Sequence, residues 1–285
     1  MSGSKDHEQL QIPRFTRDDT QDARDDTQQK YASIIVVGGG CYGTYYVRQL
    51  ERAARAGALV ANEIVVVDRD AQCTVARERE SHEAEGPLPI RLVQADWSAF
   101  FADYLDRAAD AKQGVGDAIV PSPLMPHLMG EWLVSRARRR FAGRNVQTPP
   151  VDRVPSVPWE RAGADGTHYV SFATWMCPIN CVEPRTCPHT RDMRSWSLPI
   201  RIAEHAREET SAGRPLVVAT LFCRHRVYGV GMFDTAEVVD ADARIAAAGN
   251  EGAAEVMIGT VSHCHGALTR LVIGPVPADA DSPVA

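Results

Sequence analysis

The sequence has no excess of positive charge: its formal net charge at pH 7 is -6 over 285 residues. Proteins that bind nucleic acid need a basic surface that neutralises phosphates, so this balance argues against a nucleic-acid partner. The chain also has no run of about 20 apolar residues, the length that a membrane span requires. Its first residues contain no apolar core of the kind that a signal peptide needs. We therefore expect a cytoplasmic protein with no membrane span.

The chain nevertheless has enough apolar residues, 44% of the total, to bury a large core. Its two ends are exceptions. Residues 1–30 are acidic and polar and contain the repeated tetrapeptide Asp-Asp-Thr-Gln, while residues 275–285 are polar and contain prolines. Segments with so little to bury are predicted to be disordered tails.

Between residues 31 and 146, short runs rich in Ile and Val alternate with segments of helical periodicity. This alternation predicts a parallel sheet with right-handed crossovers, in an α/β fold of the doubly wound type. The predicted strands are 33–37, 63–67, 90–93 and 118–120, and the predicted helices are 42–56, 97–109 and 128–141.

The rhythm breaks between residues 147 and 199, where prolines and cysteines are frequent. We interpret this part as a Cys/Pro-rich insertion. Regular patterns return in residues 200–274, with strong apolar runs at 216–222 and 256–261. These two runs are predicted to be the fifth and sixth strands of the same mainly parallel sheet. The alternative is that residues 200–274 form a second small domain.

A G-x-G-x-x-G motif is formed by Gly38, Gly40 and Gly43, directly after the first predicted strand. Gly38 allows a tight turn, Gly40 lets a pyrophosphate approach the backbone, and Gly43 lets the following helix pack closely on the sheet. Asp68 ends the second predicted strand, where an acid binds the ribose hydroxyls of NAD. Asp68 thus favours NAD over NADP, but the next residue, Arg69, keeps NADP as an alternative, because an arginine at this position can bind the 2′-phosphate of NADP.

Residues 34–43, 65–68 and 94–96 resemble the NAD(P)-binding Rossmann superfamily, and within it the TrkA-N type domain of potassium-channel regulatory subunits. The resemblance covers about residues 31–120. It implies a Rossmann-like sheet, NAD or NADP as the bound cofactor, and a place for Asp96 beside the adenine.

Cys177, Cys181 and Cys187 lie close together with the spacing C-x3-C-x5-C, and His189 follows two residues later. In a reducing compartment, clustered cysteines favour metal binding or catalysis over structural disulfides. A tetrahedral Cys3His zinc site and a [4Fe–4S] cluster both fit these residue types. Three unlinked thiols, or a redox disulfide between two of them, are the alternatives.

A second group consists of Cys223, His225, His263, Cys264 and His265, at the ends of the two strong C-terminal strands. If these strands are parallel, both sets of side chains lie at the carboxyl edge, where open α/β sheets bind ligands. The three imidazoles are candidate catalytic acids and bases, and the two thiols are candidate metal ligands. The same predicted edge carries Asp68, Asp96 and His127.

These patterns favour an NAD(P)-binding oxidoreductase that acts on a small-molecule substrate and carries a zinc or iron–sulfur centre near its cofactor. The alternative is a non-enzymatic regulatory protein of the TrkA-N type, in which a nucleotide effector or a redox change alters contacts with a partner. Both hypotheses are compatible with a homodimer.

Overall fold

The computed structural model describes residues 28–81, 86–177 and 181–277. The predicted tails therefore lie almost wholly outside the described residues. The elements follow one another in this order: β1 (Gln29–Val37), α1 (Cys41–Arg55), β2 (Leu59–Asp68), α2 (Thr74–Ser81), β3 (Ile90–Gln94), α3 (Trp97–Ala111), β4 (Ala118–Val120), α4 (Leu128–Arg140), β5 (Val146–Gln147), β6 (Trp159–Ala162), β7 (His168–Ser171), α5 (Leu198–Ser211), β8 (Val217–Phe222), β9 (Arg224–Val227), β10 (Val230–Asp234), α6 (Thr235–Glu251), β11 (Ala254–Val261) and β12 (His265–Ile273).

The fold is mixed α/β and contains two sheets. The first sheet has the strand order β3-β2-β1-β4-β10-β9. Its strands β1 to β4 are parallel, as the alternating pattern predicts. The last two strands are antiparallel and form a hairpin. Its turn is made by Tyr228 and Gly229, whose φ values of 47° and 77° are those of a tight hairpin turn.

The second sheet has the order β6-β7-β12-β11-β8, and β5 also pairs with β12. Strands β8 and β11 are parallel neighbours, but they do not continue the first sheet as predicted. The position beside β4 is taken by β10 instead. The Cys/Pro-rich segment is likewise not a separate insertion throughout, because its hairpin β6–β7 extends the second sheet through pairing with β12.

Helices α3, α4 and α6 form a layer between the two sheets. Ile35 and Val67 of the first sheet share one core cluster with Leu133 of α4, Ile245 of α6 and Ile258 of β11. This layer buries one face of β1 and β2, and helix α1 helps to bury the other. Burial on both faces explains why these strands have uninterrupted apolar sequences.

Two further helix layers cover the outer faces of the sheets. Val47 and Leu50 of α1 pack with Ile34 and Val36 on the outside of the first sheet. Leu198 and Ile202 of α5 pack with Met257 and Leu268 on the outside of the second. No helix of the described residues is long and apolar enough to cross a membrane.

Candidate functional site

The glycine loop connects β1 to α1. Gly38 has a φ of 91° and donates a hydrogen bond to the Val67 carbonyl at 2.8 Å. A side chain at Gly43 would place its Cβ only 1.8 Å from the Gly38 carbonyl oxygen, so the helix can approach the strand only with glycine there. Gly40 is different, because nothing lies within 4 Å of a Cβ built on it. This position therefore borders open space at the N-terminus of α1.

Asp68 lies against the glycine loop, at the end of β2. Its Oδ2 atom accepts a hydrogen bond from the Gly39 amide at 2.7 Å, and its Oδ1 atom accepts one from the Asp70 amide at 2.9 Å. The carboxylate thus braces the loop. A carboxylate has about four acceptor positions, so it keeps capacity for hydroxyl donors.

Asp96 has a structural role at the start of α3. It is the N-cap of that helix and accepts a hydrogen bond from the Ala99 amide at 3.2 Å. The next residue, Trp97, donates to the Val67 carbonyl at 2.9 Å, and its ring lies 3.0 Å from a Cβ built on Gly38. A cavity of about 130 Å³ lies between the ends of β2 and β3 and is lined partly by Asp68.

The edge of the second sheet where β8 and β11 end is organised around Glu183, a residue that the sequence patterns did not single out. Its carboxylate accepts three hydrogen bonds, from the Ser262 hydroxyl at 2.6 Å and from the amides of His263 at 2.8 Å and Cys264 at 3.0 Å. The backbone at Glu183 has a φ of 50°, in the left-handed region. Glu183 therefore ties its own part of the Cys/Pro-rich segment to the turn between β11 and β12.

Burial alone would raise the pKa of the Glu183 carboxyl. The hydrogen bond from Ser262, the nearby His225 and the two backbone amides outweigh burial, so its pKa is lowered. The resulting negative charge interacts with the thiols and imidazoles around it. These are Cys177, Cys181, Cys223, Cys264, His225, His263 and His265. Together with Glu183, and with Cys187 beside Cys177 and Cys181, they form what we call the Cys/His cluster.

The three predicted catalytic histidines lie within this cluster. The Nδ1 atom of His263 is 3.0 Å from the Ser197 hydroxyl, and that of His265 is 2.9 Å from the Ser171 hydroxyl. Burial lowers the pKa of His263, His265 and His225. All three rings are thus favoured as neutral imidazoles, the form that can accept a proton or bind a metal.

The thiols of the cluster differ in their ionisation. Burial raises the pKa of Cys223 and Cys264 to about 12, so both are protonated at neutral pH. Burial also opposes ionisation of Cys187. There the backbone amides of Thr190 and His189 outweigh it by hydrogen bonding to the sulfur, and the pKa is lowered. Cys187 is therefore the thiol best prepared to become a thiolate.

Cys177, Cys181 and Cys187 lie close enough to influence one another electrostatically. Within the described ranges, however, no group of three or more His, Cys, Asp or Glu side chains is arranged to hold a metal ion. The ring of His189 stacks on Trp175, with their centroids 4.5 Å apart. The fold thus gathers the three predicted thiol ligands into one neighbourhood without a coordination geometry.

The hairpin β9–β10 lies between helix α1 and the Cys/Pro-rich segment. On one side, Arg52 in the last turn of α1 lies 5.0 Å from the Tyr228 ring. Just before the hairpin, burial and then the neighbouring Cys223 raise the pKa of Tyr46 of α1 to about 12. On the other side, a Cβ built on Gly229 would lie 2.4 Å from Val182 of the Cys/Pro-rich segment. The body and the last turn of α1 therefore lie near the Cys/His cluster.

His127 does not belong to this site, although it was predicted at the same edge. Its ring is buried between α4 and the second sheet, with Nδ1 3.0 Å from the Thr260 hydroxyl and Nε2 3.1 Å from the Thr269 hydroxyl. Burial lowers its pKa to about 4. It is a core histidine with both nitrogens satisfied.

Comparison with known families adds one match. Residues 129–274, just over half of the chain, match a family model described as "Uncharacterized protein, C-terminal domain". The chain belongs to this family. The family domain includes the whole Cys/His cluster and every strand of the second sheet, whereas the glycine loop precedes it. No curated protein and no solved structure matches the chain.

Proposed function

We propose that this protein is an NAD(P)-binding oxidoreductase whose Cys/His cluster carries a metal centre beside the cofactor site. One observation carries the proposal: the β9–β10 hairpin contacts both Arg52, in the last turn of the helix that begins at the glycine loop, and Val182 of the Cys/Pro-rich segment. The parallel strand order β3-β2-β1-β4 supports the cofactor part, because it is the order of the first half of Rossmann dinucleotide-binding sheets.

The space around Gly40 suits a phosphate group. The residue begins α1, and a helix N-terminus offers unpaired amides and a positive dipole to an anion. Asp68, already fixed against the loop, is available to the ribose hydroxyls. Asp96 stays a candidate for the adenine side, although its carboxylate also caps α3.

Cys177, Cys181 and Cys187 would hold the metal, with His189, Cys223 or Cys264 as the candidate for a fourth ligand. Amide-to-sulfur hydrogen bonds such as those at Cys187 stabilise a thiolate, which is the ligand form of cysteine. Zinc in this site would supply Lewis acidity, and an iron–sulfur cluster would supply electron transfer.

When NAD or NADP is bound, it supplies a hydride acceptor. A substrate alcohol that loses hydride from carbon must also lose its hydroxyl proton to a base. We assign that proton to one of the neutral imidazoles of His225, His263 and His265, which lie in one cluster and can return the proton in the reverse reaction.

The decisive test of the cofactor part is calorimetric titration of NAD(H) and NADP(H) into the Gly40→Val variant. The new side chain has room in the free protein but occupies the space of the phosphates, so we expect binding at least about tenfold weaker with unchanged thermal stability. Gly143→Val is the matched control, since nothing lies within 4 Å of a Cβ there either. Equal affinities in the two variants would refute the cofactor assignment.

The metal part is tested by metal analysis of the wild type and of a triple variant with serine at Cys177, Cys181 and Cys187. We expect the bound metal to be lost in the triple variant and retained in Cys41→Ser, whose thiol is exposed in the glycine loop. Nucleotide binding without turnover of any tested carbonyl or alcohol substrate would favour the alternative, a non-enzymatic regulatory protein, over the oxidoreductase.

A further inference from the structure

A separate cavity of about 250 Å³ lies at the edge of the second sheet. Strand β8 is the last strand on that side, and the cavity is enclosed by β8, the start of β9, the first turn of α5 and one face of α6. This volume is below the roughly 300–1,000 Å³ of pockets for drug-sized ligands, so the cavity suits a small molecule. It contains none of the residues of the glycine loop or of the Cys/His cluster.

The cavity contains an unused buried acceptor. Glu237 of α6 pairs through Oε1 with Arg224, but its Oε2 atom is shielded from solvent and has no hydrogen-bond partner. Leaving a buried carboxylate oxygen unpaired is costly, and most such atoms in native proteins have a donor. A ligand with an N–H donor satisfies this oxygen once a neighbouring side chain shifts to uncover it, because water does not reach the oxygen in the free protein.

The rim of the cavity carries two more charges of opposite sign. Asp240 and Arg244 lie one turn apart on the same face of α6, and both are exposed. Neither makes a hydrogen bond or an ion pair with any residue in the described part of the chain. Arg224 is held differently, with its guanidinium stacked 4.5 Å from the Phe222 ring. The cavity therefore offers an apolar wall, free carboxylate oxygens and one free guanidinium.

We propose that this cavity binds a small zwitterion of the free amino acid class. Its ammonium group pairs with Glu237 and Asp240, and its carboxylate pairs with Arg244. A simple anion such as phosphate fits less well, because Arg224 is already paired with Glu237 and the remaining cation of the lining, Arg244, lies one helical turn from Asp240. A simple amine leaves Arg244 without a partner. The site is independent of the proposed oxidoreductase activity, although the Phe222 ring also contacts the ring of His263, with centroids 4.8 Å apart.

The experiment is calorimetric titration of the full chain with a panel of L-amino acids, and with N-acetyl and amide derivatives of the tightest binder. Acetylation removes the ammonium charge and amidation removes the carboxylate. We expect each derivative to bind about 10- to 100-fold more weakly, because each lacks one charge-assisted hydrogen bond. The Glu237→Gln variant should weaken binding of the unmodified amino acid by a similar factor. Glu251→Gln, an exposed change at the end of the same helix, should leave the affinity unchanged.

Asp240→Asn and Arg244→Gln guard against a folding defect in the Glu237 variant, because both side chains are exposed and unpaired. Each should weaken binding without changing the melting temperature. No binding by any amino acid of the panel overturns the proposal, and so does binding that survives acetylation or the Glu237 and Arg244 changes. The Gly40→Val variant should bind the amino acid normally, so failure here and failure of the cofactor assignment are distinguishable.

Discussion

The glycine-loop edge of the first sheet and the Cys/His edge of the second differ in what holds them together. At the first edge, backbone atoms of one short stretch define the shape: Gly38 turns the chain, and Gly43 lets helix and strand touch. At the second edge, side chains from distant segments meet around one carboxylate, that of Glu183. The first site is a contiguous turn, and the second is an assembly.

This difference predicts how each edge responds to mutation. Because the glycine loop leaves open space at Gly40, added volume there can block a ligand without disturbing the fold. The Cys/His edge has the opposite sensitivity. The part of its Cys/Pro-rich segment around Glu183 is tied to the turn between β11 and β12 by this carboxylate, so its loss should loosen the contact between them.

The largest effect is therefore expected from Glu183→Ala. It leaves the His263 amide without its acceptor, and it leaves the Ser262 hydroxyl and the Cys264 amide with only longer bonds of 3.3 Å to the His265 carbonyl and the Ser262 hydroxyl. Hydrogen bonds to a charged group contribute about 1.5–3 kcal/mol each. We expect the free energy of unfolding in urea to fall by about 3–5 kcal/mol, since such contributions are not fully additive. Hydrogen exchange at the amides of His263 and Cys264 should speed up at the same time.

Two further variants divide this effect into its causes. Glu160→Ala is the control, because it removes an exposed carboxylate that pairs with His168. It should lower the free energy of unfolding by about 1 kcal/mol or less. Glu183→Gly loses the carboxylate but relieves the positive φ, so it should be about 1 kcal/mol more stable than the alanine variant. If Glu183→Ala is no worse than Glu160→Ala, the carboxylate does not fasten the edge.

The sequence predicts the first edge well because its constraints are local. Gly38, Gly40 and Gly43 lie within six residues, and Asp68 ends the next apolar strand, so spacing alone places them together. The four parallel strands were predictable for the same reason, since burial on both faces leaves continuous runs of Ile and Val.

The second edge was only partly predictable. The apolar runs of β8 and β11 correctly indicate parallel strands, but such runs do not specify which sheet they join. Glu183 has no pattern of its own, because its donors lie 79 to 81 residues away and its left-handed backbone is set by tertiary contacts. The nearest sequence signal was its position between Cys181 and Cys187, within a segment already identified by its thiols.

His127 differs from the histidines of the Cys/His edge because it lies in the core, and this predicts a pH-dependent stability. His127 is buried and its folded-state pKa is about 4, below the ordinary value of 6.5. Its contribution to stability is present above pH 6.5 and is lost as the pH falls towards 4, because the unfolded chain then binds the proton more readily. At about 1.4 kcal/mol for each unit of pKa shift, the loss amounts to about 3 kcal/mol.

This loss is measured from urea unfolding between pH 7 and pH 4, in the wild type and in His127→Gln. The glutamine keeps hydrogen-bonding atoms for the threonine hydroxyls but does not titrate. The free energy of unfolding of the variant should therefore fall by about 3 kcal/mol less than that of the wild type between pH 7 and pH 4. Parallel curves for the two proteins would contradict the assignment of His127 to the core.

The smallest effect separates two roles of Asp96 at the glycine-loop edge. As the N-cap of α3, its side chain accepts the Ala99 amide, and asparagine caps helices about as well as aspartate. Asp96→Asn should therefore preserve stability, whereas Asp96→Ala should cost about 1 kcal/mol in urea unfolding. The charge of Asp96 also pairs with Arg69 at 3.6 Å, but both side chains are exposed, so this pair contributes little to stability. Weaker nucleotide binding in Asp96→Asn, at unchanged stability, would then assign the carboxylate to the adenine side. Equal affinity in the wild type and Asp96→Asn would leave Asp96 a helix cap and a partner of Arg69, and the nucleotide site would rest on the glycine loop and Asp68.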